Sequence, residues 1–147
     1  MSDTITGGCL CGAVRYECAA DPMMTGHCHC VDCRKTSGTG HGTHVFFPRP
    51  AVTITGTLTA YDRATDSGNT VTRGFCPTCG SAIYSANSSM TDAMVIRASS
   101  LDDPEVAKPQ MVVYASRAPS WDLVDPDLPA FAEMPDASPQ EIIESDG

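Results

Sequence analysis

Aromatic side chains make up only 6% of this 147-residue chain, and there is a single tryptophan. A core with so few large rings must be thin, or reinforced by something other than packing. Cations are scarce too: nine Lys and Arg stand against eighteen Asp and Glu, a formal charge of −9. That balance disfavours nucleic acid and anionic membrane as partners, since both require clustered positive charge. No apolar run approaches the ~18 residues of a membrane span, and clusters such as Val45-Phe46-Phe47 stop at Pro48. The stretch Met1-Ser2-Asp3-Thr4-Ile5-Thr6-Gly7 lacks a basic region followed by an apolar one. A secretory leader is therefore not expected, and the protein is expected to be soluble and cytoplasmic. Helical periodicity is rare and no solenoid repeat is present.

What remains reads as one all-β domain. Short segments rich in β-branched and aromatic residues recur between Gly, Pro, Asp and Asn breaks, predicting strands over 13–18, 43–47, 52–55, 58–61, 70–75, 82–85, 94–98 and 110–114. The segment Thr53-Ile54-Thr55-Gly56-Thr57-Leu58-Thr59 reads as two strands around a glycine turn, hence a hairpin. One short helix is expected over 31–37, with Gly38 as its cap. Residues 1–134 are expected to form the domain, and 135–147, acidic with little to bury, a disordered tail. Nothing in the pattern fixes an oligomeric state.

The missing reinforcement is supplied by cysteine. Seven of the eight fall in three clusters: Cys9-Leu10-Cys11, Cys28-His29-Cys30-Val31-Asp32-Cys33 and Cys76-Pro77-Thr78-Cys79-Gly80. In a reducing compartment such clusters read as metal ligands or reactive thiols, because structural disulfides are rare there. Thiolates one to four residues apart in a tight turn can reach one tetrahedral ion at about 2.3 Å. In the last cluster Pro77 sets the turn, and Gly80 allows the backbone to fold both sulfurs inward, as in a zinc knuckle. Iron–sulfur ligation is the main competing use. Seven thiolates and two Zn²⁺ would take the net charge to about −12.

Four thiolates close a tetrahedron, whereas three leave a vertex for substrate. Cys9/Cys11 with Cys76/Cys79, and Cys30/Cys33 with Cys76/Cys79, are both conceivable quartets. Cys28, Cys30 and Cys33 form the natural triplet, leaving the two outer pairs for the quartet. Cys18, on the apolar face of its strand, is expected to be core.

These three motifs, in the forms Gly8-Cys9-Leu10-Cys11-Gly12-Ala13-Val14, Cys28-His29-Cys30-Val31-Asp32-Cys33-Arg34-Lys35 and Phe75-Cys76-Pro77-Thr78-Cys79-Gly80-Ser81, resemble the glutathione-dependent formaldehyde-activating enzyme family. The likeness runs on through Val95-Ile96-Arg97-Ala98-Ser99-Ser100-Leu101-Asp102-Asp103-Pro104 and the tract ending Phe131-Ala132-Glu133-Met134-Pro135. It implies a β-tent fold with zinc knuckles and a small helical turn after the Cys28–Cys33 cluster. It also implies two zinc ions: a structural one on Cys9, Cys11, Cys76 and Cys79, and a catalytic one on Cys28, Cys30 and Cys33. The implied activity is that of a carbon–sulfur lyase, promoting addition of glutathione to formaldehyde.

Arg34 and Lys35 could receive the carboxylates of a thiol such as glutathione, or merely offset anionic thiolates. His29 could be a fourth ligand, a proton shuttle or a donor to a sulfur. Alternation, however, points it away from the metal that Cys28 and Cys30 face. His27 and His41 are expected to be structural, and His44 to pack within a strand. The competing functions are a non-catalytic zinc module for interaction or carriage, for which no basic extension is present, and the same open site acting on a different small substrate.

Overall fold

In a computed structural model the described residues are 4–65 and 67–134; the segment 135–147, expected to be disordered, lies outside them. Two sheets carry the fold. The smaller joins β1 (Ile5–Gly8), β2 (Arg15–Cys18) and β5 (Val52–Thr55) in the order β1-β2-β5, all antiparallel. The larger contains β3 (Met24–Cys28), β4 (Gly42–Pro48), β6 (Thr59–Ala64), β7 (Thr70–Phe75), β8 (Ala82–Asn87), β9 (Ala93–Arg97) and β10 (Met111–Val113). Its order is β10-β3-β4-β9-β8-β7-β6, with β10 parallel to β3 and every other pair antiparallel.

Alternation places the core. In β2, Tyr16 and Cys18 point inward while Arg15 and Glu17 face solvent; in β4, Val45 and Phe47 are buried. With Val14, Ile83 and Ile96 these side chains form one buried cluster that also takes in Cys9 and Cys76. Cys18 is fully buried, as the alternation predicted, and burial pushes its thiol up to about 11. The Tyr16 hydroxyl hydrogen-bonds Ser100 Oγ at 2.7 Å. Gly7 lies directly against that hydroxyl, where any Cβ would collide with it.

One sequence expectation is overturned. Thr53 to Thr59 is not a hairpin: β5 pairs with β2 and β6 pairs with β7, so the chain at Gly56 (φ +99°) crosses from one sheet to the other. An isolated hairpin is marginal in water, and both strands find longer-range partners instead. The helix α1 (Val31–Ser37) covers the residues expected, and it takes in the end of the cysteine cluster, since Cys33 lies in its first turn and Cys30 is its N-cap. Its end is as read: Gly38 takes the left-handed conformation at φ +84°. Strands β1 and β3 were not anticipated, because Thr-Gly-Gly and Met-Thr-Gly-His lack the alternation of branched residues that marks a strand. Among the described residues no helix is long and apolar enough to cross a membrane.

Candidate metal centres

The β1–β2 turn carries Cys9 and Cys11, and the β7–β8 turn carries Cys76 and Cys79. The two turns are built alike. Gly12 N–H donates to the Cys9 carbonyl at 3.2 Å and Gly80 N–H to the Cys76 carbonyl at 2.9 Å, with Gly12 and Gly80 at φ +83° and +77°. Both tight loops bend back so that their sulfurs meet. Cys9 and Cys11 sulfurs are 3.6 Å apart, and Cys11 and Cys76 sulfurs 3.7 Å. Thiolates bound tetrahedrally at about 2.3 Å stand roughly 3.8 Å from one another, so the spacing fits zinc. All four sulfurs lie within 4.8 Å of each other, and no cysteine is in a disulfide. Two of the sulfurs accept hydrogen bonds from backbone amides: Val14 N–H donates to Cys9 Sγ at 3.2 Å and Thr78 N–H to Cys76 Sγ at 3.4 Å. Hydrogen bonding from Ser81 pulls the Cys79 thiol down to about 5.

The second cluster is local. Cys28 ends β3, Cys30 caps α1 and Cys33 sits on the helix, which brings their sulfurs within 4.8 Å of one another. Cys30 Sγ accepts from Cys33 N–H at 3.3 Å. Hydrogen bonds from Cys28 and Cys33 pull the Cys30 thiol down to about 2, while the bond with Cys30, the Cys33 bond and burial push Cys28 up. Three thiols this close cannot all ionise unless a cation offsets their charge, which is the service a divalent ion would perform. The residues present therefore fit a three-thiolate zinc site. Of the two quartets open at the level of sequence, the fold brings together Cys9/Cys11 with Cys76/Cys79.

Several residues around the triplet had no clear signal in the sequence. His44, read as strand packing, places Nε2 3.3 Å from Cys33 Sγ, and its buried Nδ1 has no hydrogen-bond partner among the described residues. Burial, with Arg97 beside it, lowers its pKa to about 3, so the ring is neutral. Arg97 lies opposite His44 across β4 and β9 and is only 4% exposed. Its Nη2 donates to Thr36 Oγ1 at 2.5 Å, tying α1 to the sheet beneath the triplet. Asp32 of α1 pairs with Arg63 at 3.0 Å and more distantly with Arg73 at 4.0 Å. Cys28 and Cys33 also form part of the wall of a cavity of about 270 Å³.

The other sequence-derived candidates are placed as follows. His29 is buried and turned from the triplet, with Nδ1 3.2 Å from the Gly40 carbonyl oxygen and 3.4 Å from Asp122. His41 Nδ1 donates to the same Asp122 carboxylate at 2.6 Å, and His27 Nδ1 is bonded to Thr43 at 2.8 Å. His29 and His41 thus anchor the segment around Asp122 beside the end of β3 and the start of β4. Arg34 is half-buried and Lys35 exposed on α1; Lys35 borders a surface groove with Thr36 and Arg97, and neither lines the cavity at the triplet.

A quartet and a triplet of cysteine sulfurs that could each hold a metal ion, on a mostly antiparallel framework, define an all-β protein with two candidate metal centres. Residues 4–117 match the family described as glutathione-dependent formaldehyde-activating enzyme, and the chain belongs to that family. Its fold is similar to a crystal structure of a Rhodobacter sphaeroides protein, with a TM-score of 0.56 and 18% identity over 86% of this chain and 98% of that one. No curated protein matches the chain.

Proposed function

We propose that the protein is a zinc-dependent carbon–sulfur lyase that binds a thiol, glutathione first of all, and promotes its addition to formaldehyde or a related small electrophile. The observation that carries this reading is the division of seven sulfurs into a quartet and a separate triplet. Four thiolates saturate a tetrahedral ion and three do not. On this reading the chain holds two zinc ions, with Cys9, Cys11, Cys76 and Cys79 serving the fold and Cys28, Cys30 and Cys33 serving the reaction. Zinc bound at the triplet supplies the positive charge that lowers the pKa of a thiol and polarises a carbonyl.

The chain's own residues do the rest. Cys30, held anionic at the helix N-cap, anchors the triplet. Three thiolate donors favour thiol chemistry over activation of water. His44, neutral and 3.3 Å from Cys33 Sγ, fixes the orientation of that sulfur, and Arg97 holds α1 in place through Thr36. Arg34 and Lys35, on the same helix, are the proposed contacts for glutathione carboxylates, whereas His29 positions the end of β3. A cytoplasmic location, where thiols stay reduced, suits seven unpaired ligands.

The test is zinc content per chain combined with calorimetric titration of glutathione into wild type and Cys30→Ser. Two zinc ions with binding lost in the variant is the expected result. Two zinc ions without glutathione binding would rule out glutathione as the thiol.

A further inference from the structure

We propose that the carbonyl partner carries an apolar substituent of about six carbons, seated in the cavity that adjoins the triplet; this rests on the thiol-addition reading above. The cavity measures about 270 Å³, on the order of nine water volumes at about 30 Å³ each, of which formaldehyde would fill about two. Its walls are mainly apolar. Four of the chain's seven methionines, Met24, Met90, Met111 and Met134, line it together with Phe46 and Val113. Met24 and Met111, with Phe46 and Val113 packed on them, form a cluster separate from the main core. These side chains thus surround a space beside the metal ligands rather than fill the centre of the domain. Flexible thioethers adapt to aliphatic groups of varied shape.

The polar groups fall on two sides: His27, Cys28, Cys33 and His44 around the triplet, and Arg73, Ser85 and Asn87 on β7 and β8; among the described residues that line the cavity Arg73 is the one Lys or Arg, with the Asp32 carboxylate 4.0 Å away. That is the composition of a small-molecule pocket, apolar with a few placed polar atoms. Glutathione, with two carboxylates and an ammonium, would have to shed its hydration to enter. The uncharged partner, the aldehyde, has no such cost. The cavity therefore takes the aldehyde's body, and the thiol approaches from outside it. In the reaction the sulfur–carbon bond forms, the carbonyl π pair moves to oxygen and the thiol proton ends on that oxygen. Nothing is oxidised or reduced.

The experiment uses zinc-loaded protein labelled at its methionine methyls. 1-Hexanol, an unreactive probe, should shift the methyl signals of the cavity methionines, and methanol should not. With glutathione, hexanal should be turned over above its uncatalysed rate with a higher kcat/KM than formaldehyde. Filling the cavity by Val71→Trp, or by Val113→Phe should the first fail to fold, should lower the hexanal-to-formaldehyde ratio tenfold or more. Formaldehyde turnover with unmoved methyl signals and no gain for hexanal overturns the proposal and leaves the thiol-addition reading standing. Methyl shifts without adduct from any aldehyde overturn both.

Discussion

Leu10 N–H donates to Ser81 Oγ at 3.1 Å, so the turn bearing Cys9 and Cys11 is fastened to the turn bearing Cys76 and Cys79 by a contact that needs no metal. Ser81 also touches Cys79 Sγ at 3.2 Å. Ser81→Ala should lower stability by about 1 kcal/mol. It should also raise the Cys79 pKa, so that protons compete better for that sulfur and zinc leaves at a higher pH than in wild type. Zinc release against pH, followed with a chromogenic chelator, checks this; superimposable curves would show that Ser81 plays no part.

The two clusters should respond differently to loss of one sulfur. Cys11 and Cys76 meet across 65 positions of chain, so Cys76→Ser removes a tie between distant turns. The expected loss is ~3 kcal/mol or more, given how much structural zinc contributes to folding. Cys30→Ser removes one local sulfur and leaves a serine, itself a good N-cap, on α1. Its fold should persist while the second zinc is lost. Urea titration by circular dichroism with metal analysis separates the cases, and equal destabilisation would sink the division of labour.

Stability should fall on mild acidification. Burial, with His41 nearby, depresses the His27 pKa from 6.5 to about 4, so between those values the unfolded chain binds a proton that the folded chain refuses. The contribution is complete above about pH 6.5 and is lost as pH falls towards 4. His44, lowered to about 3, acts in the same direction. At saturating zinc, His27→Gln should show a shallower loss of stability between pH 7 and pH 5 than wild type in urea unfolding. Parallel slopes would assign the acid sensitivity elsewhere.

What could be read from the sequence follows from the range of the interactions. Strands β5 and β7 and helix α1 fall where their residues were expected, because branched alternation and the Gly38 cap are local signals. The cysteine clusters were visible for the same reason, each being a short chelate. Which pairs combine was not set by spacing alone; it depends on how the two sheets bring the β1–β2 and β7–β8 turns together. The Gly56 turn was misread because pairing to β2 and β7 outweighs pairing between neighbours. Arg97, His44 and Asp122 gain their meaning from partners far along the chain, such as Thr36 for Arg97 and His41 for Asp122. The cavity is less visible still, since its methionines come from β3, β10 and two irregular segments.

The separation between the two sulfur sets also orders events during synthesis. The triplet lies within one short stretch and can assemble as soon as the end of β3 and helix α1 have emerged. The quartet must wait for Cys79, closing a loop whose entropic cost grows only slowly with its length. A chain stopped before that residue would carry a complete triplet on a framework whose two sheets are not yet clasped together.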